Sequence, residues 1–221
     1  MNKVLVIVAH PDDEVLGCGG SIVKHIKNGD EVYIVFVTFG YIPKENIDLQ
    51  KIKKEYAFKA CEILGVQKEN ILFLEYEGAR LDRVEKAKFN QHITDIVSLI
   101  EPDIIYTHHW GDLNFDHKTV FEAVMVASRP HDYDHKKVIK VYCCEILSSS
   151  EWSGTIGENF FVPTVYNVLD EDIVKRKINA FKVYKTEQCK FPHPRSPEQV
   201  YNLAVFRGGT SMKILLRHLY L

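Results

Sequence analysis

Four short apolar runs, KVLVIVA (3–9), EVYIVFVTF (31–39), ILFL (71–74) and DIIYT (103–107), alternate with longer amphipathic stretches near 15–28, 47–64 and 84–100. Runs this short, nearly continuous in Val, Ile, Leu and Phe, suit strands covered on both faces. Such strands run parallel, and parallel neighbours need a crossover long enough to hold a helix, which the intervening stretches supply. The expected fold is α/β: a Rossmann-like three-layer sandwich with a mostly parallel sheet. Open parallel sheets bind ligands at the carboxyl ends of their strands, where the strand order reverses. With an order of 3-2-1-4, that place lies between the ends of strands 1 and 4.

Beyond residue 117 the pattern continues through HKTVFEAVMVAS, a strand candidate VIKVYCCEIL and a looser region SSSEWSGTIGENFFVPT. A polar helix near 170–187, the loop CKFPHPRSPEQ and a helix near 197–206 follow. No repeat or break in composition divides the chain, so 1–221 reads as one domain whose C-terminal third caps the sheet and the active site. The 28 basic and 30 acidic residues are spread along the chain for a net charge of -2, which leaves no footprint for nucleic acid. No apolar stretch approaches the roughly 20 residues of a spanning helix and no leader pattern opens the chain, so no integral membrane segment and a cytoplasmic location are expected. Five cysteines without a C-x-x-C suggest neither a disulfide framework nor a thiolate zinc site.

The charged residues are not spread evenly at the strand ends. Strand 1 hands over to AHPDDEVLGCGG and strand 4 runs into THHWGDLNFDH, so two distant clusters of histidine and acid converge on one pocket. Pro11 favours a tight turn that lets His10 and Asp13, three apart, face the same side while Asp12 points elsewhere. His10 and Asp13 form a two-point chelate, and His117, at the start of the next helix, completes a facial set of nitrogen and oxygen ligands. That set suits zinc with one position left for water. Asp12 is then placed as general base. The glycines of GCGGS are expected to let the first helix approach the metal loop or a substrate.

These motifs resemble the LmbE-like, or PIG-L, family of zinc-dependent deacetylases. KKEYAFKACEILGV, VYCCEILSSSEW and AFKVYKTEQCKFPHPRSPEQVYNLAVFRG resemble family stretches in the same order, so the likeness extends over nearly the whole chain. The resemblance implies removal of the acetyl group from an amino sugar of N-acetylglucosamine type. It assigns His10, Asp13 and His117 as ligands of one Zn2+ per chain, and Asp12 as base. It also implies a homo-oligomer, trimer or hexamer, for which FFVPTVYNVL is apolar enough to supply an interface.

The sequence departs from the family pattern where several relatives carry a histidine that stabilises the oxyanion or protonates the leaving group; here that position is Asn114. Asn114 then serves as an oxyanion donor, or His109 or His108 supplies the charge from the strand end. Gly78 stands near the place where many relatives have a sugar-contacting aspartate, with Glu77 or Asp82 to compensate. Asp112, and His193 and Arg195 of the proline-rich loop, are further candidates to meet substrate, the last two an anionic one. His25, His92, His131, His135 and His218 have no partner in view.

Two other classes of function compete with this reading. A nucleotide-binding module using GCGG is disfavoured because the spacing is not G-x-G-x-x-G and acids precede the glycines. A relative of weak or no activity that binds a glycan or sugar nucleotide is made conceivable by Asn114 and Gly78.

Overall fold

The computed structural model describes residues 1–43, 46, 48–129, 138–154 and 159–211. His131, His135 and His218 lie outside them. Five parallel strands, β1 (Lys3–Val8), β2 (Glu31–Thr38), β3 (Ile71–Tyr76), β4 (Ile104–His108) and β5 (Lys140–Cys144), form one sheet in the order β3-β2-β1-β4-β5. The helices are α1 (Asp13–Lys27), α2 (Asp48–Leu64), α3 (Lys86–Ile100), α4 (Phe115–Ala127), α5 (Glu171–Phe181) and α6 (Pro197–Thr210). The expected α/β three-layer fold is present, and the order reverses between β1 and β4, as the sequence suggested.

Strand β1 shows why the apolar run had to be continuous. Val4, Val6 and Val8 enter a core shared with α1, α2, α5 and α6, whereas Leu5, Ile7 and Ala9 enter a second core shared with α3 and α4. Period-two alternation sends successive residues to opposite faces, so a polar residue at any of these positions would be buried. The polar helix expected to reach residue 187 stops at Phe181, after which Tyr184 turns inward and is fully buried. Helix α6 starts as its sequence advertises: Ser196 Oγ accepts the Gln199 N–H and Pro197 occupies the first turn.

One expectation is corrected. A Cβ on Gly17 would stand 2.8 Å from the Cys144 Cβ, and one on Gly20 would stand 2.4 Å from the Leu169 Cδ1. Gly17 and Gly20 therefore serve close packing against the end of β5 and the Leu169 segment rather than approach to the turn at His10. No described helix is long and apolar enough to cross a membrane.

Candidate metal centre

The turn after β1 is tight: Asp13 N–H bonds to the His10 carbonyl at 3.3 Å, and His10 N–H donates to Asp13 Oδ2 at 2.8 Å. This sets His10 and Asp13 facing one another. Across the strand-order reversal, Asn114 caps α4 by accepting the Asp116 N–H, which puts His117 in the first turn. His10 Nδ1 is 3.2 Å from His117 Nε2 and 3.2 Å from Asp13 Oδ2, and His117 Nε2 is 3.3 Å from the same oxygen. Tetrahedral zinc with bonds of about 2.0–2.1 Å separates its ligand atoms by about 3.3 Å. The three donors therefore already stand at the edges of such a site, and Asp13 Oδ1 is buried without a hydrogen bond among the described residues.

Each histidine is backed by a carboxylate. Asp116 Oδ2 lies 3.0 Å from His10 Nε2 and is fixed by the N–H groups of Ala79 at 2.7 Å and, through Oδ1, of Leu81 at 3.4 Å. Asp112 Oδ1 lies 3.2 Å from His117 Nδ1 and accepts the Asn114 N–H at 2.9 Å and the Ser149 hydroxyl, while Oδ2 accepts that of Ser150 at 2.9 Å. A carboxylate on the far nitrogen keeps the proton there and leaves His10 Nδ1 and His117 Nε2 as lone-pair donors. Burial by itself would lower the pKa of His117, but Asp13 and Asp112 more than reverse this and raise it to about 10. Burial likewise opposes ionisation of Asp13, yet His117 and His10 hold it well below the usual carboxylate range. The pocket is thus built to stabilise positive charge where the three donors meet.

Asp12 stands apart from this set. Its φ of 119° is a left-handed conformation rare for a residue with a side chain, its carboxylate does not cap α1, and Oδ2 is buried without a hydrogen bond among the described residues. Burial raises its pKa to about 7 against the opposing pull of Arg195, whose Nη2 is 3.6 Å from Oδ2. Behind it, Glu14 Oε2 accepts the Asp12 N–H at 3.0 Å and Oε1 accepts the Tyr184 hydroxyl at 2.5 Å.

The remaining sequence candidates separate. His108 is fully buried, stacks on His117 at 3.8 Å between ring centres, and accepts the Ala9 N–H through Nε2 at 2.8 Å. Burial and His117 push its pKa down to about 3, so it is a neutral packing partner rather than a group that meets substrate. Asp112, also expected to meet substrate, is buried behind His117. His109 is buried too, with Nε2 2.9 Å from the Asn159 carbonyl and its ring edge-on to Phe161. Glu77 is exposed and pairs with Arg80 at 3.0 Å. His193 accepts the Arg195 N–H at 3.0 Å on an exposed loop. A Cβ on Gly78 would fall 2.1 Å from the Gly40 carbonyl oxygen, so no side chain fits at this position. His25 and His92 do have partners: His25 bridges Asp30 at 2.8 Å and Tyr106 at 3.0 Å, and His92 meets the Tyr76 hydroxyl at 2.9 Å.

Sequence reasoning missed Asp116 and Glu14. Asp116 was adjacent to a proposed ligand, and its place in the first turn of a helix beside that ligand was the available signal. Contact of Ser149 and Ser150 with Asp112 depends on how β5 lies against β4.

Comparison with known proteins bears on family and fold. The model of the family described as PIG-L, GlcNAc-PI de-N-acetylase, matches residues 5–128 and so spans both arms of the triangle. An uncharacterised deacetylase, YaiS, of Escherichia coli (strain K12) is 28% identical over 83% of this chain and 90% of its own length. A probable N-acetyl-alpha-D-glucosaminyl L-malate deacetylase 2 of Bacillus subtilis (strain 168) is 26% identical over 83% of this chain and 82% of its own. Among solved structures, the N,N'-diacetylchitobiose deacetylase of Pyrococcus horikoshii superposes with a TM-score of 0.69 at 22% identity, covering 96% of this chain and 80% of that one. The 4-carboxy-2-hydroxymuconate hydratase GalB of Pseudomonas putida KT2440 superposes with a TM-score of 0.75 at 19% identity, covering 99% and 90%. A deacetylase and a hydratase on one scaffold mean that the fold alone does not select the reaction. A family model matching more than half of the residues does settle descent, and the chain belongs to the PIG-L (LmbE-like) family.

Proposed function

We propose that the chain is a zinc-dependent hydrolase that removes the N-acetyl group from an N-acetylglucosamine-type amino sugar. The observation that carries this reading is the triangle of His10 Nδ1, Asp13 Oδ2 and His117 Nε2 at 3.2–3.3 Å, with a buried, unbonded carboxylate oxygen one residue away on Asp12. A zinc ion held by these three residues supplies Lewis acidity and lowers the pKa of a water. Asp12 takes the proton of the attacking water on its carboxylate and returns it to the departing sugar amine, completing hydrolysis of the amide to acetate and free amine. Asn114, whose Oδ1 is committed to the cap of α4, offers its amide N–H to the developing oxyanion, and His109 borders the same strand end.

One feature shapes the substrate and another the assembly. The bare backbone at Gly78 removes one sugar contact, and exposed Glu77 beside it is the nearest acid on that loop to replace it. Phe160, Val162, Val165 and Val168 stand exposed along one stretch, which favours assembly into a homo-oligomer, read by sedimentation equilibrium. The test of function is acetate release by the zinc-reconstituted protein from N-acetylglucosamine presented free, nucleotide-linked, lipid-linked and as an oligomer. Acetate and amine in equal amounts are expected from at least one; silence across the panel with zinc bound overturns the proposal in favour of a binding role.

A further inference from the structure

Arg195 reaches the site from a loop far along the chain and sets its two terminal nitrogens between carboxylates. Nη1 lies 3.3 Å from Glu187 Oε2, and Nη2 lies 3.6 Å from Asp12 Oδ2. Glu187 is held in turn by Lys53 of α2, whose Nζ is 3.1 Å from Glu187 Oε1 and donates to the Phe39 carbonyl at 2.9 Å. Lys53 is buried, a place an ammonium keeps only when paired. Lys53, Glu187, Arg195 and Asp12 therefore form a row of alternating sign that ends at the base.

We propose that Arg195 is a positioning residue which, braced by Glu187 and Lys53, fixes the direction in which the Asp12 carboxylate points, and that it is not a clamp for an anionic group of the substrate. Both terminal nitrogens already face protein carboxylates, and the row as a whole is neutral when ionised. A phosphate or carboxylate arriving with substrate would meet no uncompensated positive charge there. Asp12, for its part, has little else to hold it. Its side chain makes no capping bond, and Oδ2 has no hydrogen bond among the described residues. A separation of 3.6 Å is too long for a hydrogen bond. The guanidinium therefore orients Oδ2 by charge while leaving its lone pairs open to a water.

The kinetic arm of the test rests on the deacetylase reading; a thermal arm stands without it. In the zinc-loaded protein, Arg195→Ala is expected to lower kcat by about 10- to 100-fold, the scale of misplacing a reacting group. KM for neutral and nucleotide-linked N-acetylglucosamine stays unchanged, and added guanidinium ion restores part of the lost kcat. Arg195→Lys, which keeps the charge and loses the planar fork, falls between. A KM that rises for the nucleotide-linked substrate alone, with kcat intact, overturns the proposal and makes Arg195 a clamp. Melting temperatures of the wild type, Asp12→Asn, Arg195→Ala and the double variant read the pair without turnover. Non-additive shifts are expected; additive ones overturn the proposal. A wild type that releases no acetate sinks the deacetylase reading and leaves the thermal cycle to judge the pair.

Discussion

Asp13 and Asp12 are neighbours in sequence and sit on two sides of one pocket that are built differently. On the Asp13 side, His10 and His117 each have a carboxylate behind the far nitrogen, and those carboxylates are themselves fixed by Ala79, Leu81, Asn114, Ser149 and Ser150. On the Asp12 side, the residue has a left-handed backbone, its carboxylate makes no capping bond, and among the described residues a guanidinium stands 3.6 Å from it. The difference separates two demands. Ligands of a cation gain from having every other contact satisfied, because that fixes their donors before the ion arrives. A group that must accept and release a proton needs an oxygen that the protein has left free.

The strongest way to break this comparison is to remove a corner of the triangle. Asp13→Ala is expected to abolish both zinc binding and acetate release, read by metal analysis of the dialysed protein beside the turnover assay; retained stoichiometric zinc would place the site elsewhere. On the other side, Asp12→Asn should keep its zinc and lose about 100-fold or more in kcat, the scale of an acid–base group. Near-normal turnover in that variant would remove Asp12 from the chemistry. A smaller effect sharpens the role of the supporting carboxylates: Asp116→Asn should weaken zinc binding about 10- to 100-fold in a competitive chelator titration. An unchanged affinity would mean that Asp116 does not orient His10.

Two further predictions concern stability around the same pocket. Gly78→Ala forces a Cβ into the Gly40 carbonyl and should cost about 1–3 kcal/mol, a fall of a few degrees in Tm. Behind Asp12, burial raises the Glu14 pKa from its ordinary 4.5 to about 8, despite the opposing bonds from Tyr184 and Asp12. The folded state then holds a proton that the unfolded state has lost. That contribution is full below about pH 4.5 and declines as pH rises towards about 8. In chelator-stripped protein, Glu14→Gln should therefore unfold at higher urea relative to wild type at pH 8 than at pH 5; a constant difference would show that Glu14 is ionised in the folded chain.

The parts of this account that were legible in the sequence depend on local pattern. Continuous apolar runs specify buried parallel strands, because both faces of β1 enter cores, and the crossover helices follow from the spacing between runs. The three side chains that could hold a metal ion were legible because the turn at Pro11 and the first turn of α4 are local structures. What the sequence could not show depends on distant approach. The glycines of α1 looked suited to a ligand loop, and only the packing of β5 and Leu169 reveals what they accommodate. His108 and Asp112 looked like exposed polar groups at a strand end, yet His108 is stacked under His117 and Asp112 is bonded by serines some forty residues further on. The charge of Arg195 was legible, but its approach to Asp12, from the other end of the chain, was not.

The most direct test of the central claim is a titration of zinc into chelator-stripped protein, with bound metal and acetate release followed together on an N-acetylglucosamine substrate. Both are expected to rise linearly and stop at one equivalent per chain, and Asp12→Asn is expected to reproduce the binding curve without the acetate. Acetate release that persists in the stripped protein, or zinc that saturates at one equivalent with no Asp12-dependent turnover, would contradict it.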